Sequence, residues 1–359
     1  MNLGLNRMAD GRRAAFNAIL VTLAALTIYR LLLAVPLPGL NLDSIRNDNV
    51  QVLSLGTYSI ASVGLTSWLS ILLLAEVAVL LLPTGWTVWI ARSGHADPFS
   101  FIVLVGALLL TALQGHGVVV AMEQVSGLVA QPGIAFRSVA ITSLLGGTAL
   151  VILLARLVET RGVGMGFWVI LAASFASGIA HDLAMQCRQA QITEFVDFAR
   201  NFGTALAVVV GSTAAVVTIV LARRNMALPA VEPVLWPVVL AGMIYPWVVV
   251  GLAIAVSVMS SVDDPELDSW LLNGPIGILA FAAITFGLAL LCARREGQRG
   301  LALASAIASA AVVVAATTPL AWAIFMPVAA GQLVVVAAIG LEVLTKVRSR
   351  LFESAESRR

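Results

Sequence analysis

SIASVGLTSWLSILLLAEVAVLLLP, residues 59–83, is the stretch on which the fold class turns. At about 1.5 Å of rise per residue it is long enough to cross a bilayer as one helix. Its first half carries small and hydroxyl residues: Ser59, Ser62, Gly64, Thr66, Ser67 and Ser70. Its apolar second half holds one carboxylate, Glu76. A helix facing lipid has no use for either feature, because a charged side chain in hydrocarbon costs several kcal/mol. The stretch therefore reads as a wall of a wet or movable cavity.

Outward from this segment the same apolar pattern recurs. The chain has 359 residues, of which 60% are hydrophobic and 11% charged, and its mean hydropathy is +0.99. A soluble domain carries about 25% charged residues, so this is a polytopic membrane protein. Apolar segments of spanning length run over Ala14–Val35, Ser59–Leu82, Phe99–Ala121, Ser138–Val158 and Met165–Ala184. They continue over Gly203–Leu221, Leu235–Met259, Trp270–Ala293, Leu301–Trp322 and Pro327–Val347. The expected fold is all-α, about ten transmembrane helices.

Charge sets the orientation. Arg7, Arg12 and Arg13 precede the first span. Arg92, Arg156 with Arg161, Arg223 with Arg224, and Arg294 with Arg295 and Arg299 follow spans two, four, six and eight. Lys346, Arg348 and Arg350 close the last. The alternate connections are poor in basic residues, and one, SVDDPELDS, is acidic through Asp263, Asp264, Glu266 and Asp268. The excess of Arg and Lys on cytoplasmic loops then places both termini in the cytoplasm of an inner (plasma) membrane protein. Five spans per half put the halves 1–200 and 201–359 in opposite orientation, as in an inverted repeat.

The connections are short and leave no room for a soluble domain. MNLGLNRMADGRRAAF at the N-terminus lacks the short apolar core of a signal peptide. HDLAMQCRQAQITEFVDFARNF, residues 181–202, has the mixed polarity of a helix lying on the membrane surface. Cys187 and Cys292 form no metal or redox motif, and His95, His116 and His181 are too scattered to be a ligand set. TRGVGMG, residues 160–166, lacks the Lys-Ser/Thr of a phosphate loop and opens an apolar helix; it reads as a helix–turn–helix corner. No Ser/His/Asp set or acid pair falls at one membrane depth, so an enzyme is not expected, nor is a cofactor or a metal.

Four stretches in chain order resemble the SecY/Sec61 family of protein-conducting channels. YRLLLAVPLPGLN, Tyr29–Asn41, is similar to the end of the family's first span, with Arg30, Pro36, Pro38 and Gly39 in place and Leu32 where Gly is usual. Ser59–Pro83 is similar to the second span, sharing Ser59, Ile60, Gly64 and Ser70, with Glu76 at a polar Gln position. GTALVILLARLVETRGVGMG, Gly147–Gly166, resembles the G-T…E-R-G-I-G-N-G run between spans four and five. It keeps Gly147, Thr148, Arg161, Gly162, Gly164 and Gly166, with Met165 for Asn. GQLVVVAAIGLEVLTKVRSRLF, Gly331–Phe352, looks like the last span and its tail, with Glu342 where Asp is usual. Span seven, LWPVVLAGMIYP, keeps only Pro237.

The resemblance implies a fold of two inverted five-helix halves and a channel for polypeptides. It places the pore constriction, a ring of apolar side chains sealing against ions, at Leu65, Leu69, Phe175, Val239 and Val335. It places the lateral gate between spans two and seven, with Glu76, Ser70 and Pro237. Arg30 reads as structural, snorkelling outward or bonding helix-end carbonyls. The small and hydroxyl residues of Ser59–Ser70 serve equally as tight helix packing, and Glu76 as a protonated partner of a neighbouring helix. The resemblance also implies a SecE-like small membrane subunit, with a SecG-like subunit as a further candidate, and a polypeptide client; no nucleic acid is implied.

Departures bear on the driving partner. The family's long basic hairpins, which meet a ribosome or a motor ATPase, shrink here to ARRNMALPAVEP and ARREGQRG. The plug segment after span one is cut to about DNVQVLSLGTY. A specialised channel subunit follows. The alternatives are an inverted-repeat secondary transporter of a small solute or lipid, with Glu76 carrying protons, and a non-conducting membrane assembly factor.

Overall fold

The computed structural model describes residues 2–41, 58–81, 100–190 and 327–356. It also describes separate helical positions at 214, 218, 220–221, 236–237, 239–241, 244, 283–288 and 290. Six helices are complete among them: α1 Asn2–Ala34, α2 Gly64–Leu81, α3 Phe101–Gln124, α4 Ile134–Arg161, α5 Gly166–Ala190 and α6 Pro327–Glu356. These coincide with predicted spans one to five and ten. Spans six to nine lie outside the described residues apart from the separate positions. Among the described residues there are no strands. Three helical stretches are long and apolar enough to cross a membrane, Arg13–Ala34, Phe101–Gln124 and Ile134–Arg161, and Gly64–Ala75 and Gly166–Gly178 are shorter apolar helices. A helix satisfies all its backbone groups within one segment, which is what hydrocarbon demands. The chain is membrane-embedded.

Helix ends differ from the predicted span ends for identifiable reasons. α1 begins at Asn2 and α6 runs on to Glu356, because hydropathy marks only the bilayer crossing and the hydrogen-bond ladder continues into polar flanks. Span two, expected to be helical from Ser59, becomes a helix only at Gly64. The residues before it pair instead with the segment that follows α1. Ser59 forms an antiparallel bridge with Pro36. Pro36 has no N–H to give, so its neighbours hold the pair: Leu37 N–H donates to the Tyr58 carbonyl at 2.8 Å, and Ile60 N–H to the Val35 carbonyl at 3.1 Å.

The chain divides into two compact units, Met1–Leu171 with Lys346–Arg359, and Ala172–Thr345. In the first, α1 to α4 pack with alternating direction. At one end of that unit, Pro38 and Gly39 form a turn in which Gly39 takes φ +89°, a value that favours glycine. Beyond it Asn41 N–H donates to the Leu128 carbonyl at 2.8 Å and Ala130 N–H to the Gly39 carbonyl at 3.1 Å. The 36–41 segment thus lies between residues 58–60 and the α3–α4 connection. Leu37, Tyr58, Val63, Val119, Met122, Leu128, Phe136 and Leu144 form the apolar core that these segments border. The Glu123 carboxylate closes the connection. Oε1 accepts the Gly133 N–H at 2.8 Å, and Oε2 accepts Arg137 Nε and Nη2 at 2.8 and 2.6 Å. The perimeter is apolar, with Leu23 of α1, Leu109 and Leu113 of α3 and Leu153 of α4 exposed, as a surface meeting lipid tails should be.

Candidate functional site

The site is built on the first turns of α2, and small residues determine what packs there. Gly64 abuts Thr148 of α4: a Cβ on it would stand 2.6 Å from the Thr148 hydroxyl and 2.9 Å from the Thr148 Cα. Gly147 lies against the Ile60 carbonyl, where a Cβ would approach to 2.0 Å. The G-T pair of α4 and the Ser59–Gly64 segment are therefore one packed unit. Ser67 is fully buried. Its hydroxyl lies 3.0 Å from the Val63 carbonyl and 2.8 Å from Gln114 Oε1 on α3. Thr148 and Thr111, both buried, stand 3.4 Å apart, and each donates to the carbonyl four residues back. A polar seam thus runs between α2, α3 and α4 with its hydroxyls partnered. Thr66 bonds the carbonyl of Val63, just before α2, and Ser70 that of Thr66 within it, each at 2.8 Å. Ser70 is thereby satisfied within α2.

The Arg161–Gly166 corner is the second construction. Gly164 takes φ +103°, so the turn itself needs glycine there. Gly162 and Gly166 serve close approach. A Cβ on Gly162 would meet the Thr22 hydroxyl at 2.6 Å, and one on Gly166 would meet the Ala155 carbonyl at 1.8 Å. Thr22 of α1 donates to the Ala18 carbonyl and accepts the Val163 N–H, both at 2.9 Å, which pins the corner to α1. Glu159 accepts the N–H of Gly166, an otherwise unpaired donor at the start of α5. Arg161 is exposed in the last turn of α4, where a cation suits the helix C-terminus. Phe167 then stacks edge-on against Trp68 of α2, with ring centroids 4.7 Å apart.

No protein-family model matches the chain. SecY of Escherichia coli K12 is 25% identical over 189 residues, 48% of this chain and 43% of that protein. SecY of Helicobacter pylori strain 26695 is 28% identical over 184 residues, 46% and 44%. The chain spans about half the length of the curated relatives it matches. Among solved structures, a protein-conducting channel superposes with TM-score 0.59 at 11% identity, covering 95% of this chain and 94% of the channel chain. Sec61 in a canine ribosome–channel complex from the endoplasmic reticulum gives 0.58 at 11% identity, with the same coverages. The chain is similar to SecY and Sec61. The likeness to the solved structures gives the fold alone: all-helical, of SecY type.

The predicted residues of this SecY-like fold are found as follows. Pro36 joins Ser59; Gly64 meets Thr148; Gly162, Gly164 and Gly166 make the corner. Within the first unit, the second of the four matching stretches thus touches both the first and the third. Arg30 is exposed on α1. Leu65 and Leu69 lie one turn apart on α2, each 6% exposed, and Phe175 is half-buried on α5. Pro237, Val239 and Val335 are buried at helical positions. Glu76 is on α2; its side chain lies outside the described residues, as does the shortened segment 42–57. Sequence reasoning missed Gln114, Thr22 and the Glu123–Arg137 clasp. Gln114 carried a signal, a carboxamide inside an apolar span. Thr22 carried none, because a lone hydroxyl in a helix ordinarily bonds its own backbone.

Proposed function

We propose that the chain is a protein-conducting channel subunit, through which unfolded or partly apolar polypeptides cross the membrane or leave sideways into lipid. No bond is made or broken. The observation that carries this reading is the fold likeness to protein-conducting channels along 95% of the chain. Leu65, Leu69, Phe175, Val239 and Val335 form the constriction in this reading, and all are apolar, as a dewetting seal requires. Spans two and seven, through Glu76, Ser70 and Pro237, form the lateral gate between halves 1–200 and 201–359, which are inverted five-helix repeats. Both termini are cytoplasmic. A SecE-like small subunit braces the halves, and a SecG-like subunit is a further partner. The short connections ARRNMALPAVEP and ARREGQRG support a specialised channel whose driving partner grips it otherwise than through long hairpins.

Glu76 tests the reading. If the gate seam needs polarity, Glu76→Gln keeps translocation near wild type and Glu76→Leu, which makes the seam uniformly apolar, impairs it. A proton-coupled transporter gives another order, because Gln carries no proton and fails as Leu does. An export assay on the three proteins separates these outcomes. Wild-type behaviour of both variants removes the gate from the reading.

A further inference from the structure

We propose that Gln114 is a positioning residue: by holding Ser67, rather than Thr66 or Ser70, it fixes the rotation of α2 about its own axis and so decides where Leu65 and Leu69 face. All the contacts involved lie within the first compact unit. Apolar packing does not set such a rotation by itself. Lipid tails are as apolar as leucine, so burial gives little reason for one apolar face of a membrane helix to turn inward over another. A directional bond gives one. The Ser67 hydroxyl, fully buried, lies 2.8 Å from Gln114 Oε1, and Gln114 itself is half-buried inside an apolar span. Thr66 and Ser67 both bond the Val63 carbonyl. Within their own helix the two hydroxyls are equivalent, and what distinguishes them is the carboxamide on α3.

The order of residues around α2 shows what the other setting is. Successive residues of a helix are turned by about 100°. Gly64, Ser67, Trp68 and Ile71 therefore share one side, and each meets another helix of the unit: Thr148 of α4, Gln114 of α3, Phe167 of α5 and Gly106 of α3. Leu65 and Leu69, both buried, lie roughly opposite Ser67 by the same periodicity. Between the two sides run Thr66 and Leu74, which are exposed, and Ser70, which is half-buried. A turn of about 100° with a slide of about 1.5 Å would bring Thr66 to Gln114 in place of Ser67. The same turn would carry Leu65 and Leu69 into the exposed sector. In the channel reading, on which this consequence rests, both leucines would then leave the constriction. Gln114 opposes the turn because the hydroxyl it holds is the one that keeps them there, and the edge-on contact of Trp68 with Phe167 supports the same setting.

Nitroxide labels at Leu65, Leu69 or Ser70 of the full chain in lipid vesicles, with Cys187 and Cys292 replaced by serine, read the turn. Molecular oxygen reaches a nitroxide from lipid and from water, so its collision rate reports exposure on either side. Gln114→Leu should raise exposure at Leu65 and Leu69 relative to Ser70 about threefold, the factor set by a bond of about 0.6 kcal/mol between membrane helices. Ser67→Ala, which leaves Gln114 to take Thr66, should shift the ratio the same way. Gly117→Ala, on the exposed side of α3 with nothing within 4 Å of its Cβ, should leave it unchanged. Chloride efflux from vesicles holding the unlabelled proteins should rise with Gln114→Leu and with Ser67→Ala. An unchanged ratio in both variants overturns the proposal. So does an equal rise at all three sites, the mark of loosened packing. A shifted ratio without efflux upholds Gln114 as the residue that sets α2 and removes Leu65 and Leu69 from the constriction, so a failure of the channel reading shows separately.

Discussion

Gly146 and Gly147 are neighbours in α4, yet they answer to different constraints. A Cβ on Gly146 would meet nothing within 4 Å, whereas one on Gly147 would press into the Ile60 carbonyl. Alanine at 146 should therefore leave stability unchanged or raise it slightly, since alanine is the better helix former by about 1 kcal/mol. Alanine at 147 should force α2 and α4 apart and cost about 1–3 kcal/mol. Thermal unfolding in detergent compares the two directly, and equal midpoints would argue against the close approach. The sequence supplied the glycines without saying which of them are tight. That depends on which backbone lies opposite, and a residue type alone does not carry that information.

At the scale of the element, the contact of α2 with α3 rests on a polar bond that the pattern of hydroxyls only half announced. Ser62, Thr66, Ser67 and Ser70 look alike in the sequence, yet of these four the contact to another helix is shown for Ser67, with Gln114. A double-mutant cycle of Ser67→Ala and Gln114→Leu should show coupling of about 0.6 kcal/mol, with an upper range near 1.7, as for hydrogen bonds between membrane helices. Thr66→Ala in place of Ser67→Ala should show none. Element positions were legible because a spanning helix must be apolar for some twenty residues. Element ends were less so. α2 starts at Gly64 rather than Ser59 because the backbone of residues 58–60 is drawn into pairing with residues 35–37, a contact across more than twenty residues of chain that no local propensity reports.

At the scale of the whole molecule, the bridges Pro36↔Ser59 and Leu40↔Val129 put the end of α1, the start of α2 and the α3–α4 connection at one end of the first unit. Alternating direction of α1 to α4 follows. Reporter fusions fix the side: at Arg224 and Arg295 they should read cytoplasmic, and at Asp264 exterior, as the charge asymmetry requires. The reverse pattern would undo the orientation. By itself the sequence determined that this is a helical membrane protein, where the described helices lie along the chain, and which family it resembles. Composition, hydropathy and motif order are properties of the chain alone. Only the tertiary structure decided what the motif residues do. Gly162 and Gly166 are spacers against Thr22 and Ala155, Gly164 is the turn, and Ser59 is a pairing partner of Pro36 rather than a helical residue. Those roles arise from steric exclusion and hydrogen bonding between segments far apart in the chain, and such contacts exist only once the helices have packed.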